Sequence, residues 1–223
     1  MMNVPDADVF ETYKFNPYQF GLSEKLMLDF HGQQVGYFAG CSKVVDLGAG
    51  RGFFLRELER RGIAGFGVEN HPESIAAGEK FGVKYIKANI FDFLRSDNFH
   101  EIRKQCDGVY CCHVIEHLGP AEVFELFRSV KQNCAPNVRC RFITNNPVDI
   151  DVLGDTFWMD LTHRRLYPAE LLVSMSKSQG FTTATARAFS GIRINWFTRL
   201  KVFLCRLRWG AKRGSPNLLL DCS

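Results

Sequence analysis

The sequence predicts an α/β fold built on a single, mostly parallel β-sheet. Between residues 43 and 182, short apolar runs alternate with stretches of helical period, which is typical of parallel strands joined by crossover helices. A glycine-rich turn at residues 48–52 separates the first apolar run from the first helical stretch. Two β-prone runs near the carboxyl end indicate a late antiparallel pair of strands.

Each element is predicted from its apolar pattern and from the residues that end it. Gly62 and Gly180 are typical of helix ends, whereas Pro72 suits the first turn of a helix. Strands are expected at residues 44–47, 65–69, 84–88, 107–112, 139–144, 182–188 and 217–222. Helices are expected at residues 23–38, 53–61, 72–82, 120–133 and 168–179. The result is a seven-stranded sheet with helices on both faces and the last strand antiparallel.

Size and composition are those of one ordinary globular domain. The chain has 223 residues, of which 46% are hydrophobic and 23% charged, so neither disorder nor a fibrous repeat is indicated. The formal charge of +4 is mild, and we expect no nucleic-acid partner. Eight scattered cysteines without a CxxC pair indicate reduced thiols. With no secretory leader and no apolar run of about 18 residues, we expect a cytoplasmic protein.

The glycine turn predicts a nucleoside site. Gly48, Gly50 and Gly52 lie between a strand and a helix, where glycine allows a tight turn and close approach of a ligand. Glu69 ends the second strand, where its carboxylate can accept hydrogen bonds from both ribose hydroxyls. A dinucleotide site requires GxGxxG, but here the third glycine comes one place early and Phe53 occupies its position. A nicotinamide-dependent oxidoreductase is therefore disfavoured.

Residues 46–52 (DLGAGRG) resemble the first motif of class I S-adenosylmethionine-dependent methyltransferases. The resemblance implies a Rossmann-like sheet and S-adenosylmethionine as cofactor, with the adenine amino group contacted by Asp92 and the ring flanked by Phe91 or Phe93. Asp92 could instead cap a helix. The predicted cofactor-binding residues are Asp46, Gly48, Ala49, Gly50, Gly52, Glu69, Asn70, Asp92 and His113.

The end of the fourth strand is expected to face the reacting methyl group. Residues 114–118 (VIEHL) are similar to a segment common in one branch of these enzymes. Ligands of open α/β sheets bind at the carboxyl ends of the strands, so His113, Glu116 and His117 are placed for catalysis. Alternatively, Glu116 and His117 only cap a helix or pack against a loop.

The later segment 157–170 (FWMDLTHRRLYPAE) resembles a bacterial methyltransferase subgroup that takes part in surface polysaccharide (O-antigen) assembly. The subgroup pattern is D-x-T-H-x-R-x-x-x-P-E, from which Arg165 is displaced by one place and in which Ala169 intervenes before Glu170. The resemblance implies a sugar or phosphosugar of a surface glycan as acceptor. A small metabolite or a lipid-soluble acceptor is the alternative.

Two acceptor chemistries are open. A sugar hydroxyl must lose a proton, which a histidine can accept near neutral pH; we expect His163 to do so, with Asp160 orienting its ring and His117 also catalytic. A phosphate needs no base and would be held by Arg164 or Arg165. The remaining alternative is a structural loop whose polar groups satisfy one another.

No metal site is predicted, although one alternative stays open. Some O-methyltransferases bind a divalent ion through an ExxEH segment and a distant histidine, and this chain has HVIEH and His163. The first acidic position is His113, however, and the sequence indicates no octahedral oxygen site.

The chain is expected to form one domain in three parts. Residues 1–40 are a helical lead-in, residues 41–146 the cofactor-binding core, and residues 147–223 the acceptor side. Within the last part, residues 192–213 mix Trp, Phe and Leu with Arg and Lys, as interfacial helices do. We expect them to contact an anionic membrane surface or to cover the sheet. A cofactor-binding partner protein without activity is the remaining alternative.

Overall fold

A computed structural model describes residues 23–189 and 215–223, which form a seven-stranded sheet in the order β3–β2–β1–β4–β5–β7–β6. The strands are β1 (Val44–Leu47), β2 (Gly65–Glu69), β3 (Tyr85–Lys87), β4 (Gly108–Cys112), β5 (Arg139–Asn145), β6 (Ala184–Phe189) and β7 (Asn217–Cys222). Strands β1 to β5 pair in parallel, whereas β7 is antiparallel to both β5 and β6. The predicted fold class is confirmed.

Eight α-helices are present in the described residues. They are α1 (Glu24–Val35), α2 (Phe53–Arg60), α3 (Pro72–Glu79), α4 (Ile90–Arg95), α5 (His100–Lys104), α6 (Pro120–Asn133), α7 (Ile150–Gly154) and α8 (Ala169–Ser178). The helix expected over residues 23–38 ends at Val35 and continues as a short 3-10 turn, Gly36–Phe38. Ser23 caps its start, because the Ser23 hydroxyl accepts a hydrogen bond from the Leu26 amide at 3.2 Å.

The sheet lies between two apolar cores because its buried strands alternate their side chains between two faces. In β4, Val109 and Cys111 belong to the core that includes residues of α4, α6 and α8, whereas Tyr110 belongs to the core beneath α1 and α2. All of these side chains are fully buried. The helices therefore cover both faces and leave the carboxyl ends of the strands for ligands.

The late strands β7 and β6 complete the sheet next to β5. Strand β6 starts at Ala184, two residues later than predicted, because the amides of Thr182 and Thr183 instead donate to the carbonyl of Ser223. The amide of Asn146 donates to the Pro216 carbonyl at 2.8 Å. The predicted membrane segment, residues 192–213, lies outside the described residues. Within the described ranges, no helix is long and apolar enough to cross a membrane.

Candidate functional site

The glycine turn between β1 and α2 has the conformation that only glycine adopts readily. Gly48, Gly50 and Gly52 have φ angles of 75°, 51° and 73°, in the left-handed region. A Cβ at Gly48 would lie 2.6 Å from a methyl carbon of Val114, and one at Gly52 would lie 2.8 Å from Val83. At Gly50 it would meet nothing within 4 Å. The first and last glycines therefore serve packing, whereas Gly50 borders open space.

Glu69 ties this turn to the end of β2. Its carboxylate accepts hydrogen bonds from the backbone amides of Gly50 at 2.8 Å and of Asn70 and His71, each at 2.9 Å. A carboxylate offers about four acceptor positions, so one remains for a ribose hydroxyl. Glu69 therefore holds the turn in place and keeps one position for a nucleoside. The first of these roles was not evident from its position in the sequence.

Two further predicted residues, Asp46 and Ala49, lie beneath the turn. Asp46 is 3% exposed on β1, and burial, followed by the nearby charge of Glu69, raises the pKa of its carboxyl well above the usual range. Ala49 is 9% exposed. The Tyr85 hydroxyl donates to the carbonyl of Gly50 at 3.0 Å and fixes the turn from the other side.

Asp92 lies in the first turn of α4 with an exposed side chain. The cap of this helix is Asn89, whose side chain accepts from the Phe91 amide at 2.8 Å, so Asp92 is not needed as the cap. Phe93 is fully buried in the core, which leaves the half-buried Phe91 as the aromatic residue that can flank a ring. The guanidinium of Arg95 lies 5.1 Å from the centre of the Phe91 ring.

His113 follows β4 in a strained conformation. Among the non-glycine residues that the structure describes, His113 alone has a positive φ, of 56°. Its ring nitrogen Nδ1 lies 2.7 Å from Oε1 of Glu116. Glu116 is fully buried, and its other oxygen accepts a hydrogen bond from the Thr144 hydroxyl at 2.8 Å. Burial disfavours charge on His113, but the Glu116 carboxylate outweighs this effect and the pKa of His113 is raised. The strand end thus holds an oriented histidine beside a buried carboxylate.

His163 is held by a different partner from the one expected. Its Nδ1 lies 2.7 Å from the carbonyl oxygen of Phe157, and its ring stacks on the Phe157 ring at 4.7 Å. Because a carbonyl oxygen only accepts, Nδ1 carries the hydrogen and Nε2 of the neutral ring has a free lone pair. Asp160, expected to orient this ring, lies 3.9 Å from Nε2, which is beyond hydrogen-bonding distance.

Asp160 instead orients His117 through Thr162. Oδ1 of Asp160 accepts from the Thr162 hydroxyl at 2.6 Å, and that hydroxyl lies 2.9 Å from Nδ1 of His117. The hydroxyl has a single hydrogen, which goes to Asp160, so it accepts from Nδ1 of His117. Nε2 of His117 is therefore also free to accept. Burial lowers the pKa of His117, and His163 is among the smaller causes that act in the same direction.

The acceptor-side loop and the end of β4 come together through the backbone. The carbonyl of Glu116 accepts hydrogen bonds from the amides of Arg164 at 2.8 Å and Arg165 at 3.2 Å. As a result, ligand atoms of Glu116, His117 and His163 all lie within 4.8 Å of one another. The predicted catalytic residues His117, Asp160 and His163 are thus brought to one place, whereas most of the predicted cofactor residues lie in the glycine turn and at the end of β2. Asp92 lies on α4 and His113 at the end of β4.

The two arginines of the loop already have partners. Nη1 of Arg164 donates to Oε2 of Glu122 at 2.6 Å, although both side chains are largely exposed. The guanidinium of Arg165 lies 5.4 Å from the centre of the Tyr167 ring. In the described residues, the contacts of these two side chains do not include His117 or His163.

Sequence reasoning missed a contribution from α1. The ring of Phe30 stacks against His113 at 6.4 Å and packs on Phe189 at 5.6 Å. Nδ1 of His31 lies 3.0 Å from the Tyr110 hydroxyl. The adjacent rings of Phe30 and His31 were the available indication, but only the fold places them beside the strand end.

A family model described as a methyltransferase domain matches residues 23–186. A search of curated proteins finds no match to the chain. Among solved structures, a SAM-dependent methyltransferase from Archaeoglobus fulgidus has a TM-score of 0.73 at 22% identity, covering 92% of this chain and 96% of that one. One from Mesorhizobium loti has a TM-score of 0.62 at 16% identity, covering 87% and 99%.

A third solved structure is the plantazolicin methyltransferase in complex with SAH. Its TM-score is 0.61 at 14% identity, and the alignment covers 99% of this chain and 91% of that one. At these identities the structural likeness shows a shared fold.

Proposed function

This chain belongs to the methyltransferase domain family, whose model matches residues 23–186, and on that premise we propose that it methylates a hydroxyl of a sugar or phosphosugar in a surface glycan. It is an S-adenosylmethionine-dependent methyltransferase. The comparisons do not determine the acceptor, so its identity is inferred from the contacts of the site.

The turn after β1 fits the cofactor. Gly50 borders open space, and Glu69 keeps one acceptor position for a ribose hydroxyl. Asp92 is exposed near the half-buried Phe91, as a contact to adenine requires. The bound cofactor supplies a methyl group on a sulfonium, which is electrophilic without further activation. The protein has to align the acceptor with that methyl group and exclude water.

The observation that carries the acceptor proposal is the free Nε2 of His163. Since Nδ1 is fixed by the Phe157 carbonyl, the neutral ring presents a lone pair to the acceptor side. A sugar hydroxyl attacks as its proton passes to this nitrogen, and general-base catalysis of this kind contributes about 10²–10⁴-fold. His117 is oriented in the same way 4.7 Å from His163, measured between ring centres, and we assign it to the same acceptor site.

A phosphate oxygen is the weaker candidate for the methylated atom. It would require Arg164 or Arg165 to turn towards the histidines, and Arg164 is paired with Glu122. A phosphosugar could still be held by these exposed arginines while its hydroxyl reacts. We therefore propose the arginines as binding residues for the acceptor and the hydroxyl as the reacting group.

A lipid-linked form of the acceptor is favoured by the exposure of large apolar side chains in residues 148–161. Five large apolar side chains are exposed there: Val148, Ile150, Leu153, Trp158 and Leu161. Exposed apolar groups in one stretch are typical of surfaces that contact lipids or partners. We further propose that residues 192–213, with their basic and aromatic composition, bring the enzyme to an anionic membrane surface.

Product analysis tests the acceptor class. The full-length protein is incubated with methyl-labelled S-adenosylmethionine and either a lipid-linked glycan extract, nucleotide sugars or a panel of small phenols and acids. Label in an O-methyl sugar after hydrolysis is the expected result. Label only in a small non-sugar acceptor, or in a methyl phosphate ester, would overturn the proposed acceptor while leaving the methyltransferase assignment intact.

A further inference from the structure

We propose that Glu116, His117 and His163 form a binding site for one divalent cation of the Zn²⁺, Co²⁺ and Ni²⁺ type. The site itself rests on geometry alone. Its effect on turnover rests on the proposed function, because the cation takes the same Nε2 lone pair of His163 that would accept the proton. Cation binding and proton acceptance at His163 are therefore mutually exclusive.

The three groups converge closely enough to share one ion. Their ligand atoms lie within 4.8 Å of one another. Zinc bonds imidazole nitrogen and carboxylate oxygen at roughly 2.0–2.2 Å, so the ligand atoms of one tetrahedral ion stand about 3.4 Å apart. Ligand atoms up to 4.8 Å apart therefore have to approach one another by as much as about 1.4 Å to close the site. The backbone bonds from Arg164 and Arg165 to the Glu116 carbonyl already hold the two halves together.

Both histidines have the outer partners that metal-bound imidazoles require. Nδ1 of His163 donates to the Phe157 carbonyl, and Nδ1 of His117 donates to Thr162, which in turn donates to Asp160. Such outer bonds fix the tautomer and aim the other nitrogen at the ion. Because Nδ1 is bonded in both rings, Nε2 is the nitrogen left to bind an ion.

Glu116 supplies the anionic ligand. Its side chain is fully buried; Oε1 contacts Nδ1 of His113 and accepts from the Asn145 amide at 3.4 Å, and Oε2 accepts from the Thr144 hydroxyl. Each carboxylate oxygen has two acceptor positions, so Oε2 can bind a cation while these bonds remain. His113, which replaces the first acidic residue of the ExxEH pattern, then acts as a partner of Glu116 rather than as a ligand. The alternative that the sequence left open thus has a complete set of three ligands.

The ligand types select the class of cation. Two imidazole nitrogens and one carboxylate suit Zn²⁺, Co²⁺ and Ni²⁺, whereas Mg²⁺ and Ca²⁺ prefer oxygen ligands. Three protein ligands on a tetrahedral ion leave one position for water. We therefore expect Co²⁺ and Zn²⁺ to bind and Mg²⁺ not to compete.

Cobalt titration of the full-length protein, stripped with a chelator, tests the site without relying on activity. We expect visible absorption bands that saturate at one Co²⁺ per chain, disappear when Zn²⁺ is added and persist with excess Mg²⁺. His117→Ala and His163→Ala should each weaken binding at least tenfold, and Thr162→Val should weaken it about 10–100-fold through the lost outer bond. His100→Ala, at a histidine of α5 that contacts none of these groups, is the matched control.

Circular dichroism and S-adenosylmethionine affinity establish that each variant is folded. The proposal is overturned if the wild type fails to bind Co²⁺ stoichiometrically, or if folded His117→Ala and His163→Ala bind it as the wild type does. In the methyl-transfer assay, Zn²⁺ should inhibit over the concentration range in which it displaces Co²⁺. Activity unaffected by saturating Zn²⁺ would overturn the exclusion at His163. Failure of the glycan acceptor assay alone leaves the cobalt result unchanged.

Discussion

At the scale of single residues, several side chains already make structural hydrogen bonds, which reduces the number of positions left to bind a ligand. Glu69 was expected only as a ribose partner, yet three backbone amides already bond to it. Asp160 was expected to orient His163, yet it orients His117 through Thr162. Residue types and spacing selected these groups as candidates, but their pairing depends on loops that meet only in the folded chain.

Gly50 offers a direct test of the cofactor turn. Gly50 and Gly62 both have positive φ, at 51° and 71°, and a Cβ at either would meet nothing within 4 Å. Valine at either position carries a similar backbone penalty of about 1–2 kcal/mol. Only Gly50→Val should also fill ligand space and weaken S-adenosylmethionine binding at least tenfold by calorimetry, about 1.4 kcal/mol. Equal affinities for folded Gly50→Val and Gly62→Val would place the ligand elsewhere.

His31 makes stability depend on pH. Burial, followed by the charge of His113, lowers the pKa of His31 from 6.5 to about 3 in the folded protein. Between these values the unfolded chain binds the proton more readily, so this contribution to stability is complete above about pH 6.5 and falls with decreasing pH. Relative to His31→Gln, the wild type should lose about 2 kcal/mol more between pH 7.5 and 5 in urea unfolding. Parallel pH profiles would contradict the burial of a neutral ring.

At the scale of elements, strands and long helices could be predicted and short helices could not. Strand β7 has the predicted bounds, because its apolar run begins directly after Pro216. Helices α4, α5 and α7 have five or six residues each, too few turns to establish a helical period. The loop after α7 contacts Glu116, which is distant in sequence. No local sequence pattern could therefore predict this contact.

The pairing of β5 with β7 includes an ion pair whose loss should be measurable. Arg141 is 6% exposed, and its guanidinium donates to both carboxylate oxygens of Asp221 at 2.7 Å. Removing one partner of a buried pair costs about 3–5 kcal/mol, mostly through the charge left unpaired. Asp221→Ala should therefore lower the free energy of unfolding by about 3 kcal/mol. The double variant Arg141→Met with Asp221→Leu should recover much of the loss; a double variant less stable than Asp221→Ala would contradict this account.

At the scale of the whole molecule, the alternation of strands and helices was enough to predict the sheet, whereas the acceptor was not determined. Fold class follows from periodicity because each buried strand and each covering helix repeats its own pattern. The acceptor depends on which groups face the methyl position, and the site that we propose for it draws on α1, the end of β4 and the loop after α7. These segments are distant in sequence, so their juxtaposition had to come from the structure.

We predict that residues 192–213 bind the protein to an anionic membrane surface. Each basic residue near an anionic surface contributes about 1 kcal/mol, weakened by salt. The full-length protein should co-sediment with anionic but not neutral vesicles at low salt. Exchange of Arg199, Arg206 and Arg208 for glutamate should abolish the binding while cofactor affinity stays unchanged. Wild-type protein that remains in the supernatant with anionic vesicles would refute the membrane role.

We propose that His163 takes the proton from the acceptor hydroxyl and does not hold the cofactor. The turnover of His163→Ala, measured with the glycan acceptor alongside the affinity for S-adenosylmethionine, tests this role. Turnover should fall about 10²–10⁴-fold while cofactor affinity stays within twofold of wild type, and His100→Ala should match wild type in both. Unchanged turnover, or a loss explained by weaker cofactor binding, would contradict the claim.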